Sequence, residues 1–248
     1  MRNLVGTFTV LVLAFGLAMS IVNAADVISD MVGYWPLDGN AKDSIGGKDG
    51  ELVGGAKWVK GGRIKDAVEF DGSSGHVEIS GFNLTTDTLT VVAWLNGWRS
   101  TAWTGIVVAR GGTPFWMGFT DQDTLSYVWN NNAGDTWGWR AGPKIPENEW
   151  AMTAIAIEPK KTTSYIYSDA GGLKKGENNI AHIEQTLENL KFGWDECCGA
   201  DRHFAGIIDE VMIYDRTLTE DDILKLATSG LAVDFSAKLT STWGRIKQ

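Results

Sequence analysis

The chain has 248 residues, 44% hydrophobic and 21% charged, with a formal net charge of −9 and a sequence pI near 4.8. An excess of acids, 31 against 22 bases, argues against nucleic acid or an anionic membrane surface as partner and favours cations or neutral polymers such as glycans. The apolar fraction excludes a disordered chain, and 30 Gly residues fit an all-β protein with many tight turns.

Residues 1–25 carry Arg2, an apolar run from Val10 to Val22 and small residues before Asp26. This is the pattern of a secretory signal peptide, cut after Ala24 or Ala25. The run is interrupted by Gly16 and Ser20 and falls short of the ~20 residues a spanning helix needs. The remaining chain is therefore expected to be secreted, with no transmembrane segment after cleavage.

Short strands are then predicted at Val32–Leu37, Ala56–Val59, Ala67–Phe70, His76–Ile79, Thr88–Asn96, Gly105–Arg110, Phe115–Thr120 and Thr124–Asn130. Further ones follow at Trp150–Glu158, Ser164–Ser168, Ile180–Ile183, Leu190–Trp194 and Gly206–Asp215. The alternation is clearest where Leu125, Tyr127 and Trp129 oppose Thr124, Ser126 and Val128. Many short strands between Gly, Asn and Asp clusters predict an all-β sandwich or jelly roll. Thr219 and Asp222 form an [ST]-x-x-[DE] cap for one short helix over Glu220–Ala227. The domain is expected over residues 26–227. In the tail, residues 228–248, Leu231, Phe235 and Trp243 suit packing on the sandwich or contact with a partner.

The stretch HFAGIIDEVMIYDRTLTEDDI, residues 203–223, holds two acids in an apolar strand. Strict alternation puts Asp209 and Glu210 on opposite faces. A buried carboxylate needs a dedicated partner or a metal. The same stretch resembles the closing strand of laminin-G-like jelly-roll domains of the concanavalin-A-like lectin/glucanase superfamily. GYWPLDGNAKDSIGGKDGEL (Gly33–Leu52), AVEFDGSSGHVEIS (Ala67–Ser80), LTVVAWLNG (Leu89–Gly97) and NEWAMTAIAIE (Asn148–Glu158) resemble its earlier landmarks. The resemblance implies a two-sheet antiparallel jelly-roll β-sandwich with one short C-terminal helix.

Asp38, Asn40 and Asp43 lie on a Gly-containing loop, and hard oxygen donors on such a loop suit Ca²⁺. The resemblance implies a structural Ca²⁺ where this loop meets the closing strand, matching Asp38 and Asp209. Asp and Asn before Gly also simply form turns. The two cysteines, Cys197 and Cys198, are adjacent, with Cα atoms ~3.8 Å apart against the usual ~4.4–6.8 Å of a disulfide. In an oxidising compartment a vicinal disulfide that stiffens one loop is the leading reading; two thiols or intermolecular bridges are the alternatives.

Trp35, Trp94 and Trp150 sit in apolar strands and are read as core. Trp98, Trp103, Trp137 and Trp139 sit among Gly, Asn, Asp and Arg, with Arg140 beside them. Aromatic platforms next to orienting polar groups make a candidate ligand surface; filling a satellite apolar cluster is the alternative. If extended, the segment would project Trp137 and Trp139 to the same side. The loop WDECCGADR, Trp194–Arg202, could flank that surface. The E-x-D-x-E run of the retaining β-glucanases that share this resemblance is missing, as are G-x-S-x-G, H-E-x-x-H and the P-loop. The expectation is a secreted, non-catalytic lectin-like module that binds carbohydrate. An extracellular protein-interaction or surface-assembly module is the alternative, and a glycoside hydrolase the second.

Overall fold

Among the described residues, fifteen strands, a 3-10 turn at Cys197–Gly199 and one longer α-helix follow in chain order. They are β1 (Met31–Trp35), β2 (Gly50–Val53), β3 (Lys57–Lys60), β4 (Asp66–Asp71), β5 (His76–Thr86) and β6 (Leu89–Arg99). Then come β7 (Thr104–Ala109), β8 (Gly111–Gly112), β9 (Phe115–Phe119), β10 (Leu125–Trp129), β11 (Ala151–Glu158) and β12 (Lys161–Ser168). The last are β13 (Gly172–Asn178), β14 (Gln185–Phe192), β15 (Phe204–Tyr214) and α1 (Glu220–Ser229). This computed structural model describes residue 27 and residues 30–99, 102–129, 136–199 and 202–229. The expected signal peptide and most of the tail (230–248) lie outside the described residues.

The strands form two antiparallel sheets. The larger runs β13-β12-β11-β6-β15-β4-β3, with β1 pairing the second half of β15. The smaller runs β10-β9-β7-β14-β5-β2, with β8 on β14. Alternation assigns each strand's faces. On β6, Leu89, Val91, Ala93 and Leu95 enter the main core while Val92 and Trp94 join a second cluster on the outer face. α1 covers part of that outer face with Ile223, Leu226 and Ala227. Its cap is the one the sequence predicts: Thr219 N–H donates to Asp222 Oδ2 at 3.1 Å, and Asp222 N–H to Thr219 Oγ1 at 3.2 Å. No helix among the described residues is long and apolar enough to cross a membrane.

Three departures from the sequence reading have physical causes. β13, GLKKGEN, has no apolar alternation because it is a sheet edge paired only to β12. Ile180–Ile183 is not a strand. There the chain places the His182 ring 2.8 Å from Tyr127 Oη, while its Nδ1 lies 3.0 Å from the Glu158 carbonyl. In β15, strict alternation fails after Asp209, where a bulge shifts the register against β6 and Glu210 takes φ +52°. Such a bulge leaves one residue unpaired and switches the faces that follow. Ile208, Val211 and Ile213 all reach the main core, whereas Met212 and Tyr214 face outward. Asp209 and Glu210 are thus not insulated on opposite faces, and Glu210 feels the charge of Asp209.

Candidate functional site

Among the described residues, the long helix α1 lies on the larger sheet, and the outer face of the smaller sheet is bordered by loops and the short 3-10 turn Cys197–Gly199. Val108 on β7, Trp116 on β9 and Val128 on β10 stand in register across neighbouring strands and form a small apolar cluster. Trp103, just before β7, packs against it, its ring centroid 6.1 Å from that of Trp116. Trp103 holds φ +63°, a costly conformation for a bulky residue.

Above this floor lies a pocket of about 180 Å³. Trp103, Trp116 and Trp137 supply aromatic surface, and the bonded pair Cys197–Cys198 closes another side. Arg110 and Arg202 also line it. Both are anchored on Asp195, which is 0% exposed. Arg110 donates through Nε to Oδ1 at 2.8 Å and through Nη2 to Oδ2 at 2.7 Å; Arg202 Nη1 donates to Oδ2 at 2.9 Å. The Cys197 N–H donates to Oδ1 at 3.1 Å. One carboxylate thereby fixes both guanidinium groups and the turn that carries the disulfide.

The structure brings together part of the ligand surface predicted from sequence. Trp103 and Trp137 line the pocket, with Trp137 48% exposed. Arg140 stacks 5.0 Å over the Trp103 ring and pairs with Asp121 at 2.9 Å, so it props the platform. Trp139 is turned elsewhere, against the main core and edge-on to Tyr127. Thr136 is helical and 137–138 are turn, with the Trp139 N–H donating to the Thr136 carbonyl at 3.3 Å, so the shared side expected of an extended segment is not adopted. Trp98 lies on β6 opposite Ala205; its side chain is outside the described residues, as are Asn130–Asn132. The loop of Cys197 and Cys198 does flank the pocket, and the cysteines are disulfide-bonded to each other. Trp116 and Arg110 were missed, and Arg202 was reached only as the end of the loop expected to flank the surface. Trp116 lies on a strand that reads as core throughout, and its outward position was legible only as the even member of FWMGF.

The acids predicted as metal ligands divide. Asp43 is nearly buried and spends both oxygens on backbone: Oδ1 accepts from the N–H groups of Tyr34, Ile45 and Gly46, and Oδ2 from that of Lys48. Asn40 makes local turn contacts with Asp38 and Lys42. Asp38 pairs with Lys65 at 2.9 Å. Asp209 accepts from the Ile64 and Glu210 amides, each at 3.0 Å. Glu210, which the sequence reading did not include, accepts from Tyr34 Oη at 2.7 Å, and its buried Oε1 has no partner.

Burial pushes the Asp209 carboxyl up to about 7, with the charge of Asp38 adding to the effect. Burial pushes Glu210 up to about 8, and the charges of Asp209 and Asp38 push the same way. Among the described residues no group of three or more His, Cys, Asp or Glu is arranged as a ready metal cage. Asp209 feels the charge of Asp38, and two carboxylates near one another supply the oxygen donors that a hard cation takes.

A family model described as the concanavalin A-like lectin/glucanases superfamily, of laminin G type, matches residues 71–224. No curated protein sequence matches. Among solved structures, domain 4 of AbnA, an extracellular arabinanase of Geobacillus stearothermophilus solved with arabinotriose, superposes with TM-score 0.60 at 19% identity, covering 80% of this chain and 98% of that one. The binding domain of Paraclostridial Mosquitocidal Protein 1 gives 0.56 at 14%, covering 83% of this chain and 53% of that one. Trypanosoma rangeli sialidase with a difluorosialic acid gives 0.55 at 13%, covering 79% and 32%. The chain thus spans only about half of the toxin domain and a third of the sialidase. These likenesses establish architecture, and with the family match they make this chain a laminin-G-type member of the concanavalin A-like lectin/glucanases superfamily.

Proposed function

We propose that this protein is a secreted, non-catalytic module that binds carbohydrate in the pocket on the outer face of its smaller sheet. The observation that carries this reading is the pocket itself, with three indoles and a disulfide around two fixed guanidinium groups. Apolar ring faces suit the C–H surface of a sugar, and a few polar groups supply orientation. At about 180 Å³ the pocket is smaller than the ~300–1,000 Å³ clefts that engulf drug-sized ligands. It suits one sugar ring of a longer chain. Among the described residues none that lines it is Asp or Glu, whereas glycoside hydrolysis commonly requires two carboxylates flanking the scissile bond. The arabinotriose bound in the arabinanase domain agrees with a sugar ligand.

Glycan-array screening with the mature chain is the test. Binding that disappears on Trp137→Ala, with the melting temperature unchanged, is the expected outcome; turnover of a polysaccharide, or no glycan bound, would refute it. We also propose a structural Ca²⁺ where the first loop meets the closing strand, with Asp38 and Asp209 as its carboxylate ligands and backbone carbonyls completing the oxygen shell. The ion would supply positive charge that lets the buried carboxyls remain ionised, tying the first loop to the closing strand.

A further inference from the structure

The pocket has a charge that the chain as a whole does not. The protein carries −9, yet Arg110 and Arg202 share the single carboxylate of Asp195. Among the described residues that line or anchor the pocket, two cations on one anion leave one positive charge. Arg140 adds nothing to it, since Asp121 neutralises it. The hydrogen-bond inventory points the same way. Asp195 occupies Nε and Nη2 of Arg110 and Nη1 of Arg202. Arg110 Nη1 and Arg202 Nη2 have no protein partner among the described residues, and neither is sealed from solvent. Arg202 Nε is both sealed and unpaired, so this guanidinium is the less satisfied of the two. The two side chains remain 16% and 18% exposed.

A fixed guanidinium with free donors is a fork for a planar anion. Beside apolar ring platforms, that combination distinguishes an acidic sugar from a neutral one. Resting on the carbohydrate-binding reading above, we infer that the pocket selects a saccharide whose terminal ring carries a carboxylate, a uronic acid, with Arg202 as the specificity-determining residue and Arg110 as its neighbour in the fork. The carboxylate meets the surplus charge, and the ring lies between the indoles and the disulfide. The same ring bearing a hydroxymethyl group makes the apolar contacts and leaves the charge unmet.

The experiment compares glucuronate-terminated with glucose-terminated glycans by calorimetry, using the mature chain at 50 and 500 mM NaCl. The expected result is at least a tenfold preference for glucuronate at low salt, shrinking at high salt as screening grows. In Arg202→Gln the preference should vanish while the weaker glucose-terminated binding stays. Should that variant fail to fold, the salt dependence in the unaltered chain still decides. Equal affinity for both sugars, both lost in Trp137→Ala, overturns this inference and leaves the carbohydrate-binding reading standing. A preference that survives in folded Arg202→Gln overturns the assignment to this residue. No binding of either sugar overturns both readings.

Discussion

Asp195 carries more of the site than any other residue, and its removal has a calculable cost. The side chain is 0% exposed, and its two oxygens accept four hydrogen bonds, three from guanidinium groups and one from the Cys197 amide. In Asp195→Ala, Arg110 and Arg202 remain in place at 16% and 18% exposure with no counter-charge. Breaking a buried ion pair from one side costs about 3–5 kcal/mol. The arginines keep some access to water, which places the expected loss near the lower end, about 3 kcal/mol. For a domain of this size that corresponds to a fall of roughly 6–12 °C in Tm.

Differential scanning fluorimetry and urea unfolding measure it, and an unchanged urea slope would show that only stability has moved. Asp169→Asn is the internal control. It breaks the exposed Arg63–Asp169 pair, in which Asp169 is 64% exposed, and such pairs contribute about 0–1 kcal/mol. If Asp195→Ala costs no more than this control, Asp195 does not organise the pocket wall, and the argument for a fixed guanidinium fork fails with it.

Two further outcomes follow from other parts of the structure. Asp209 and Glu210, raised to about 7 and about 8 in the folded protein, have ordinary values near ~4 when unfolded. The folded state therefore holds protons that the unfolded state has released. The stability these groups contribute is complete below about pH 4 and is lost as pH rises through 7 and 8. In calcium-free buffer, stability should fall by about 2–3 kcal/mol between pH 6.5 and 8.5, a window above the lowered titrations of His76 and His182. Added Ca²⁺ should recover most of it at pH 8.5, because the ligands must be deprotonated to bind, and Glu210→Gln should flatten the slope. A calcium-free melting curve that does not change over this window removes both the proton linkage and the cation site. At the start of α1, Thr219→Ala removes the cap on the Asp222 amide and should cost about 1 kcal/mol. Chemical denaturation reads it, and a neutral result would mean that tertiary contacts alone fix the helix start.

Much of the fold was legible because burial and periodicity coincide. Leu125, Tyr127 and Trp129 alternate cleanly and all three reach the core, and the Thr219–Asp222 signature starts α1 where expected. Edge strands were harder: Gly172–Asn178 packs so little that its sequence has no apolar pattern to show. The bulge after Asp209 was not legible, because one inserted residue changes every later face without changing composition. For the pocket, loop Trp residues gave a correct signal at Trp103 and Trp137. The pairing of its two arginines was invisible, because Arg110 and Arg202 are brought to the same carboxylate from strand ends 92 positions apart in the chain, the separation read directly from their numbers. Nothing local marks such a pair.

The two outer faces of the sandwich explain why the site lies where it does. Both sheets expose large side chains on the side away from the core, as a two-layer build with alternating residues must. On the larger sheet, Val92, Trp94, Met152 and Tyr214 cluster with Leu218 and the buried residues of α1, so that part of the face is covered. On the smaller sheet the corresponding cluster among the described residues is Val108, Trp116 and Val128, with partly buried Trp103 packed on it, and α1 does not reach it. Its cover is instead assembled from three loop positions: Trp103 before β7, Trp137 after β10, and the disulfide turn between β14 and β15. Loops meeting over an apolar floor leave a gap where a helix would leave none. Residues on such loops can vary in identity without disturbing the sheet beneath. The disulfide and Asp195 then supply the rigidity that three independent loops would otherwise lack, because a pocket whose walls are already in position loses less conformational freedom when a ligand enters.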